Sequence, residues 1–128
     1  MKQLFFLIVM FVSTLVVGQT QFNFNTVDCY NQSKKTEEFK LTNVIKDNIS
    51  ITLYDDHIQV CLQNYHMIGY YTVIEVKTDR STNQLIMKTI GECHLKEITF
   101  VFDPIGDIFI FGVNDKNLTY CNHYRNKN

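Results

Sequence analysis

Residues 95–113 read Leu-Lys-Glu-Ile-Thr-Phe-Val-Phe-Asp-Pro-Ile-Gly-Asp-Ile-Phe-Ile-Phe-Gly-Val, the pattern of a β-hairpin. Pro104 has the fixed φ that suits the second position of a type I turn, and Gly106 follows where a left-handed residue is needed. A turn over Asp103 to Gly106 sets Phe102 opposite Ile108, Phe100 opposite Ile110 and Ile98 opposite Gly112, an apolar row on one face. The other face sets Val101 opposite Phe109, Thr99 opposite Phe111 and Glu97 opposite Val113. Near the tip both faces are therefore apolar, and both must be covered by the rest of the chain or by a partner.

The segment before this hairpin alternates in the same way. With Asp55-Asp56 as a two-residue turn, Leu53 meets Ile58, Ile51 meets Val60 and Ile49 meets Leu62 on one face. The opposite face collects Tyr54 with His57, Thr52 with Gln59 and Ser50 with Cys61. A one-residue slip would carry Ser, Thr and Gln into the core, so the register is well specified.

Further strands are expected over 21–27, from Phe39 to Ile45, over 70–78 with Thr72, Ile74 and Val76 facing the core, over 84–90 and, briefly, over 118–121. Between them, 29–36 reads as a loop with Ser33 or Thr36 able to cap a short helix, Lys46-Asp47-Asn48 as a turn, 63–69 as a loop, 79–83 and 114–117 as turns, and 122–128 as a tail. About eight short strands, one Pro and no long helix give an all-β chain. Its fold is an antiparallel meander curled or closed into a small barrel, with a two-layer β-sandwich as the other arrangement that covers both hairpin faces. The chain shows no repeat, linker or second domain.

Residues 1–18 carry Lys2, an apolar run from Leu4 to Val17 and a small residue at Gly18, the pattern of a cleaved secretory signal. The run is about 14 residues, against the roughly 20 that span a bilayer, so no membrane span is expected after cleavage. The segment resembles bacterial signal peptides that end in Gly-Gln. Residues 19–128 then form one secreted or periplasmic domain. Losing Lys2 takes the formal charge from −1 to −2, and no basic cluster exceeds Lys34-Lys35, which excludes nucleic acid as an expected partner. Hydrophobic residues at 45% and charged residues at 20% place the chain among folded domains rather than disordered ones.

Cys29, Cys61, Cys93 and Cys121 all follow the signal, and four cysteines in an oxidising compartment predict two disulfides. Of three connectivities, Cys29 with Cys61 and Cys93 with Cys121 is preferred, because the second pair flanks the arms of the 95–113 hairpin. His57 and Cys61 share a face and offer a base and a nucleophile, the arrangement of a small secreted hydrolase. Cys93-His94 and Cys121-Asn122-His123 lack the spacing of a zinc site. No motif calls for a metal or another cofactor, and the turn aspartates are explained by turn chemistry.

Two groups remain as a binding surface: Val101, Phe109 and Phe111 on the second hairpin face, and Tyr65, Tyr70 and Tyr71 in an aromatic stretch. Size and architecture resemble lipocalin-like and biotin-binding barrels in outline. The chain has no Trp, so the Gly-x-Trp signature of the first and the Trp-lined pocket of the second are missing, and no family residue is carried over. The expectation is a non-catalytic binding protein for a small apolar ligand or a protein partner, which includes an inhibitor. The oligomeric state is left open.

Overall fold

A computed structural model describes residues 19–93, 95–114 and 117–127; the expected signal peptide lies outside the described residues. Eight strands run β1 (Gln19–Gln32), β2 (Phe39–Tyr54), β3 (His57–Leu62), β4 (Met67–Asp79), β5 (Gln84–Gly91), β6 (Glu97–Phe102), β7 (Ile108–Val113) and β8 (Thr119–Arg125). Each pairs antiparallel with the next, and β8 pairs with β1, which closes the sheet into a barrel. Closure leaves no pair of terminal edge strands, the reason an up-and-down meander of this size is stable as one layer.

The two hairpins read from the sequence form in the expected register. Phe102 faces Ile108, Phe100 faces Ile110, Val101 faces Phe109 and Thr99 faces Phe111. Gly106 takes φ 101°, donates its N–H to Asp103 O and ends the turn. Ile49 faces Leu62, Ile51 faces Val60 and Leu53 faces Ile58.

Other boundaries differ from expectation. Cys29 to Gln32 belong to β1 rather than to a loop, and Ser33 to Glu38 form a turn with no helix. The expected turn at Lys46-Asp47-Asn48 is an irregularity inside the single strand β2. There the buried Asp47 accepts the backbone N–H of Asn48 at 2.6 Å and of Asn64 at 2.8 Å through Oδ1. An Asp that caps the neighbouring turn leaves the same mark in a sequence as an Asp that makes its own turn. The expected tail is largely β8, the strand that closes the barrel. β4 is also read differently: Tyr71 and Val73 pack on the core, while the inward expectation for Thr72 and Ile74 fails. A bulge between Val73 and Glu75 resets the alternation, and Ile74 and Val76 are exposed.

The interior is a continuous apolar column. Ring contacts run from Tyr71 to Phe100 at 5.3 Å, from Phe100 to Phe102 at 6.5 Å and from Phe102 to Phe22 at 5.7 Å. Ile49, Ile51 and Ile58 fill the opposite wall, each 0% exposed. Thr89, on β5 between Val73 and Ile98, is fully buried, its hydroxyl donating to Ile98 O at 2.8 Å.

The second hairpin face points outward and has its own cover. His123 stacks on Phe109 at 4.3 Å and is held by Asp107, whose Oδ2 lies 2.7 Å from His123 Nε2. Phe39, from β2, meets Phe111 edge-on at 6.4 Å, and Val101 is buried.

All four cysteines are free, which corrects the two expected disulfides. Their placement explains it. Cys121 lies across from Tyr30, and Cys29 lies across from Asn122, so Cys29 and Cys121 sit on adjacent strands with alternate faces between them. Cys61 pairs with Ser50 on the outside of β3, and Cys93 sits in the β5–β6 turn.

Candidate binding site at the barrel mouth

One end of the barrel is formed by the turns β1–β2, β3–β4, β5–β6 and β7–β8. Here the wall changes character from branched aliphatics to tyrosine and glycine. Gly69, Gly91 and Gly112 stand on β4, β5 and β7. Tyrosine rings fill the space their missing side chains leave. A Cβ at Gly112 would overlap the Tyr120 hydroxyl and lie 2.9 Å from Ile98, and one at Gly69 would lie 2.9 Å from the Tyr71 hydroxyl. Neither position tolerates Ala without moving a ring. A Cβ at Gly91 meets the Tyr71 ring at an ordinary 3.7 Å.

Between these rings and the strand ends lies a cavity of about 480 Å³. Tyr71 and Tyr120 give it aromatic walls, Met67, Ile98 and Val113 apolar ones, and Glu92, Cys93 and Lys96 stand at its rim; Tyr70 borders it from the outer face of β4, its ring 6.3 Å from that of His57. Apolar walls with a few convergent polar groups are the usual make-up of a small-molecule pocket.

Tyr71 and Tyr120 at the mouth and Tyr124 in the core toward the far end of β8 hold their phenols above the ordinary value of 10.0. Burial is the main cause in all three; Tyr71 is also raised by Cys93, Tyr120 by Tyr71, and Tyr124 by Tyr71 and then Cys29. Burial likewise raises Cys29, and pushes Cys121 up to about 11.

These groups give the fold an alkaline limit. Each is neutral when protonated and holds its proton more tightly folded than unfolded. Their stabilising contribution is fully present below the unfolded values of 9.0 for Cys and 10.0 for Tyr. It is lost as pH rises above them, because the unfolded chain ionises first. Tyr124 alone, almost fully buried, lowers stability by about 1.4 kcal/mol per pH unit above pH 10. The expected result is cooperative unfolding in alkali, with Tyr124 ionising only in that transition. Tyrosinate absorbance and far-ultraviolet circular dichroism, followed together, check this; a smooth titration of every tyrosine in a folded barrel would refute it.

The sequence-derived residues divide. Tyr71 lines the mouth and Tyr70 borders it, whereas Tyr65 lies outside it in the β3–β4 turn. Val101, Phe109 and Phe111, expected as a binding surface, face away from the interior and do not line the mouth cavity. Strand alternation places them opposite the row of Phe100, and their cover comes from β2 and β8.

His57 and Cys61 share a face of β3 but stand four residues apart, about 13 Å along a strand, so they cannot act as base and nucleophile together. His57 instead stacks on Tyr54 at 4.5 Å and bonds Asp56 at 2.7 Å. His94 lies outside the described residues, and among the described residues no three His, Cys, Asp or Glu side chains are grouped to hold a metal ion.

The sequence reading missed Gly69, Gly91, Gly112 and Tyr120. Three glycines at the ends of strands on one face of a meander were the signal, since a strand interior seldom keeps Gly unless another group approaches closely. No family model, curated protein or solved structure matches the chain.

Proposed function

We propose that the protein is a non-catalytic binding barrel that takes a small, largely apolar molecule at its mouth. The observation that carries this reading is the cavity of about 480 Å³ walled by Tyr71 and Tyr120 and bordered by Tyr70. Its size falls in the range of roughly 300–1,000 Å³ typical of ligand pockets. The phenol hydroxyls and the rim groups Glu92 and Lys96 provide the polar contacts that orient such a molecule. The interior below is filled by the Tyr71-Phe100-Phe102-Phe22 column, which keeps the ligand at the mouth rather than deep in the barrel.

Export is part of the proposal. It rests on Lys2 and the apolar run before Gly18, and the free cysteines lend it no support. An intact-mass measurement on protein recovered from its native source tests it: a chain that begins near Gln19 supports export, and a chain retaining residues 1–18 overturns it.

Gly91→Leu tests the mouth. At Gly91 the backbone φ is not left-handed and the first added carbon meets only ordinary contacts, so the variant folds while its branched end occupies the cavity. With 8-anilinonaphthalene-1-sulfonate as fluorescent probe, affinity is expected to fall at least about tenfold, or 1.4 kcal/mol. The thermal midpoint should hold. Equal probe binding by the two proteins would place the ligand elsewhere and sink the reading.

A further inference from the structure

β3 has 6 residues and stands between strands of 16 and 13. It therefore covers β2 only from Ile49 to Leu53. From Phe39 to Lys46, β2 pairs with β1 on one side and, among the described residues, with no strand on the other. The closed barrel thus keeps this stretch of β2 as open edge; among the described residues, 74–79 of β4, which β3 does not reach, and 19–25 of β1, which β8 does not reach, are also paired on one side only. No proline blocks the β2 stretch, and Phe39, Leu41 and Val44 along it are 40–53% exposed. The Val44 N–H is met by the side-chain oxygen of its neighbour Asn43 at 2.9 Å, a local substitute for a strand partner.

We propose that this edge pairs antiparallel with the same edge of a second copy, about a two-fold axis between Thr42 and Asn43. The sequence fits itself in that register. Leu41 meets the partner's Val44, Phe39 meets the partner's Lys46 and Lys40 meets the partner's Ile45. Every such pair shares a face. Phe39, Leu41, Val44 and Lys46 are in register with Gln32, Tyr30, Asp28 and Thr26 on the outside of β1, and Lys40 and Ile45 with Asn31 and Val27 on the inside.

Charge selects the same register. Lys40 and Lys46 are kept apart, and Lys46 lies over an aromatic ring of the other chain. A slip of one residue sets Lys40 against the partner's Lys46 and turns Leu41 toward the inward Ile45. Because the contact is self-complementary, it uses up this β2 edge of both copies and closes as a dimer about the two-fold axis. An unrelated extended peptide would gain the backbone bonds alone; a second copy of this sequence adds, in this register, apolar pairs on shared faces and separated lysines.

The test is the mass of the purified full chain in solution, measured by sedimentation across a wide concentration range. The expected result is twice the chain mass at high concentration and the chain mass on dilution, with amide exchange over 39–46 slowed only in the dimer. Leu41→Lys, on an exposed side chain, should weaken association at least tenfold while the far-ultraviolet spectrum is kept. Val44→Pro removes the donor at the centre of the pairing and should leave a monomer. A wild-type chain that stays monomeric throughout overturns the proposal. So does a dimer indifferent to Leu41→Lys, or exchange over 39–46 that is slowed only by another polypeptide.

Discussion

Phe100→Ala is expected to lower the unfolding free energy by about 3–5 kcal/mol, the range for truncating a fully buried aromatic. Phe100 is 0% exposed and holds two other rings in place, Tyr71 edge-on at 5.3 Å and Phe102 stacked at 6.5 Å. Its loss removes apolar surface and also leaves a void that the neighbouring strands, fixed in a closed ladder, cannot collapse to fill. For a domain of this size the thermal midpoint should fall by roughly 12–20 °C. The consequence reaches the mouth, because Phe100 is the surface on which Tyr71 rests. The variant barrel should therefore bind 8-anilinonaphthalene-1-sulfonate differently even where it is still folded, as Tyr71 drops into the void. Denaturant unfolding of the variant beside Phe100→Leu separates ring from volume. A loss under 1 kcal/mol in the Ala variant would mean that the column of rings is not what supports the wall.

The hairpins were legible because their two faces differ and their turns carry strong signals, Asp103-Pro104-Ile105-Gly106 and Asp55-Asp56. Elsewhere the same physics is written in weaker letters. Glu37, His66, Asn83, Leu95 and Asn117 all take a left-handed φ and end turns as Gly106 does. A Leu or a Glu in that position announces nothing in a sequence, so those turns and the strands beside them were bounded loosely. Irregularities did more damage than turns. The shift at Asp47 made one strand look like two, and the bulge after Val73 turned the expected inner row Thr72, Ile74 and Val76 into one residue of the wrong phase, one bulge residue and one exposed overhang. The mouth was half legible. Tyr70 and Tyr71 stood out as aromatics, but Tyr120 sat in a stretch read as a short strand before a tail, and its meaning depends on Gly112, a partner visible only once β7 and β8 are paired. The cysteines misled because their even number is a property of composition, whereas bonding depends on which face of which strand each occupies.

Closure of the barrel at the β1–β8 seam makes the second large prediction. Asp28 on β1 and Arg125 on β8 meet with Oδ2 and Nε 2.7 Å apart, a contact of charges rather than an aligned hydrogen bond. The Asp28 side chain is 5% exposed and its Oδ1 is buried without a partner, while the Arg125 side chain is 32% exposed. The two partners are therefore unequal: removing the arginine strands a buried carboxylate, whereas the arginine side chain, buried at Nε, is a third exposed as a whole. Arg125→Met should cost about 2–4 kcal/mol, somewhat below the range for wholly buried pairs because one partner is already a third solvated. Replacing both, with Asp28→Leu and Arg125→Met, should recover most of that loss, since the desolvation penalty disappears with the charge. Paired thermal or denaturant unfolding of the two variants gives the numbers. Hydrogen exchange gives the location, because the β1–β8 ladder joins the first strand of the sheet to the last and closes the largest loop in the fold. In Arg125→Met the amides of 26–31 and 120–125 should exchange by local opening before the β5, β6 and β7 amides do. Uniform loss of protection across all eight strands, or a double variant less stable than the single one, would show that the seam is held by its ladder and the apolar contact of Val27 with Tyr124 rather than by the charge pair.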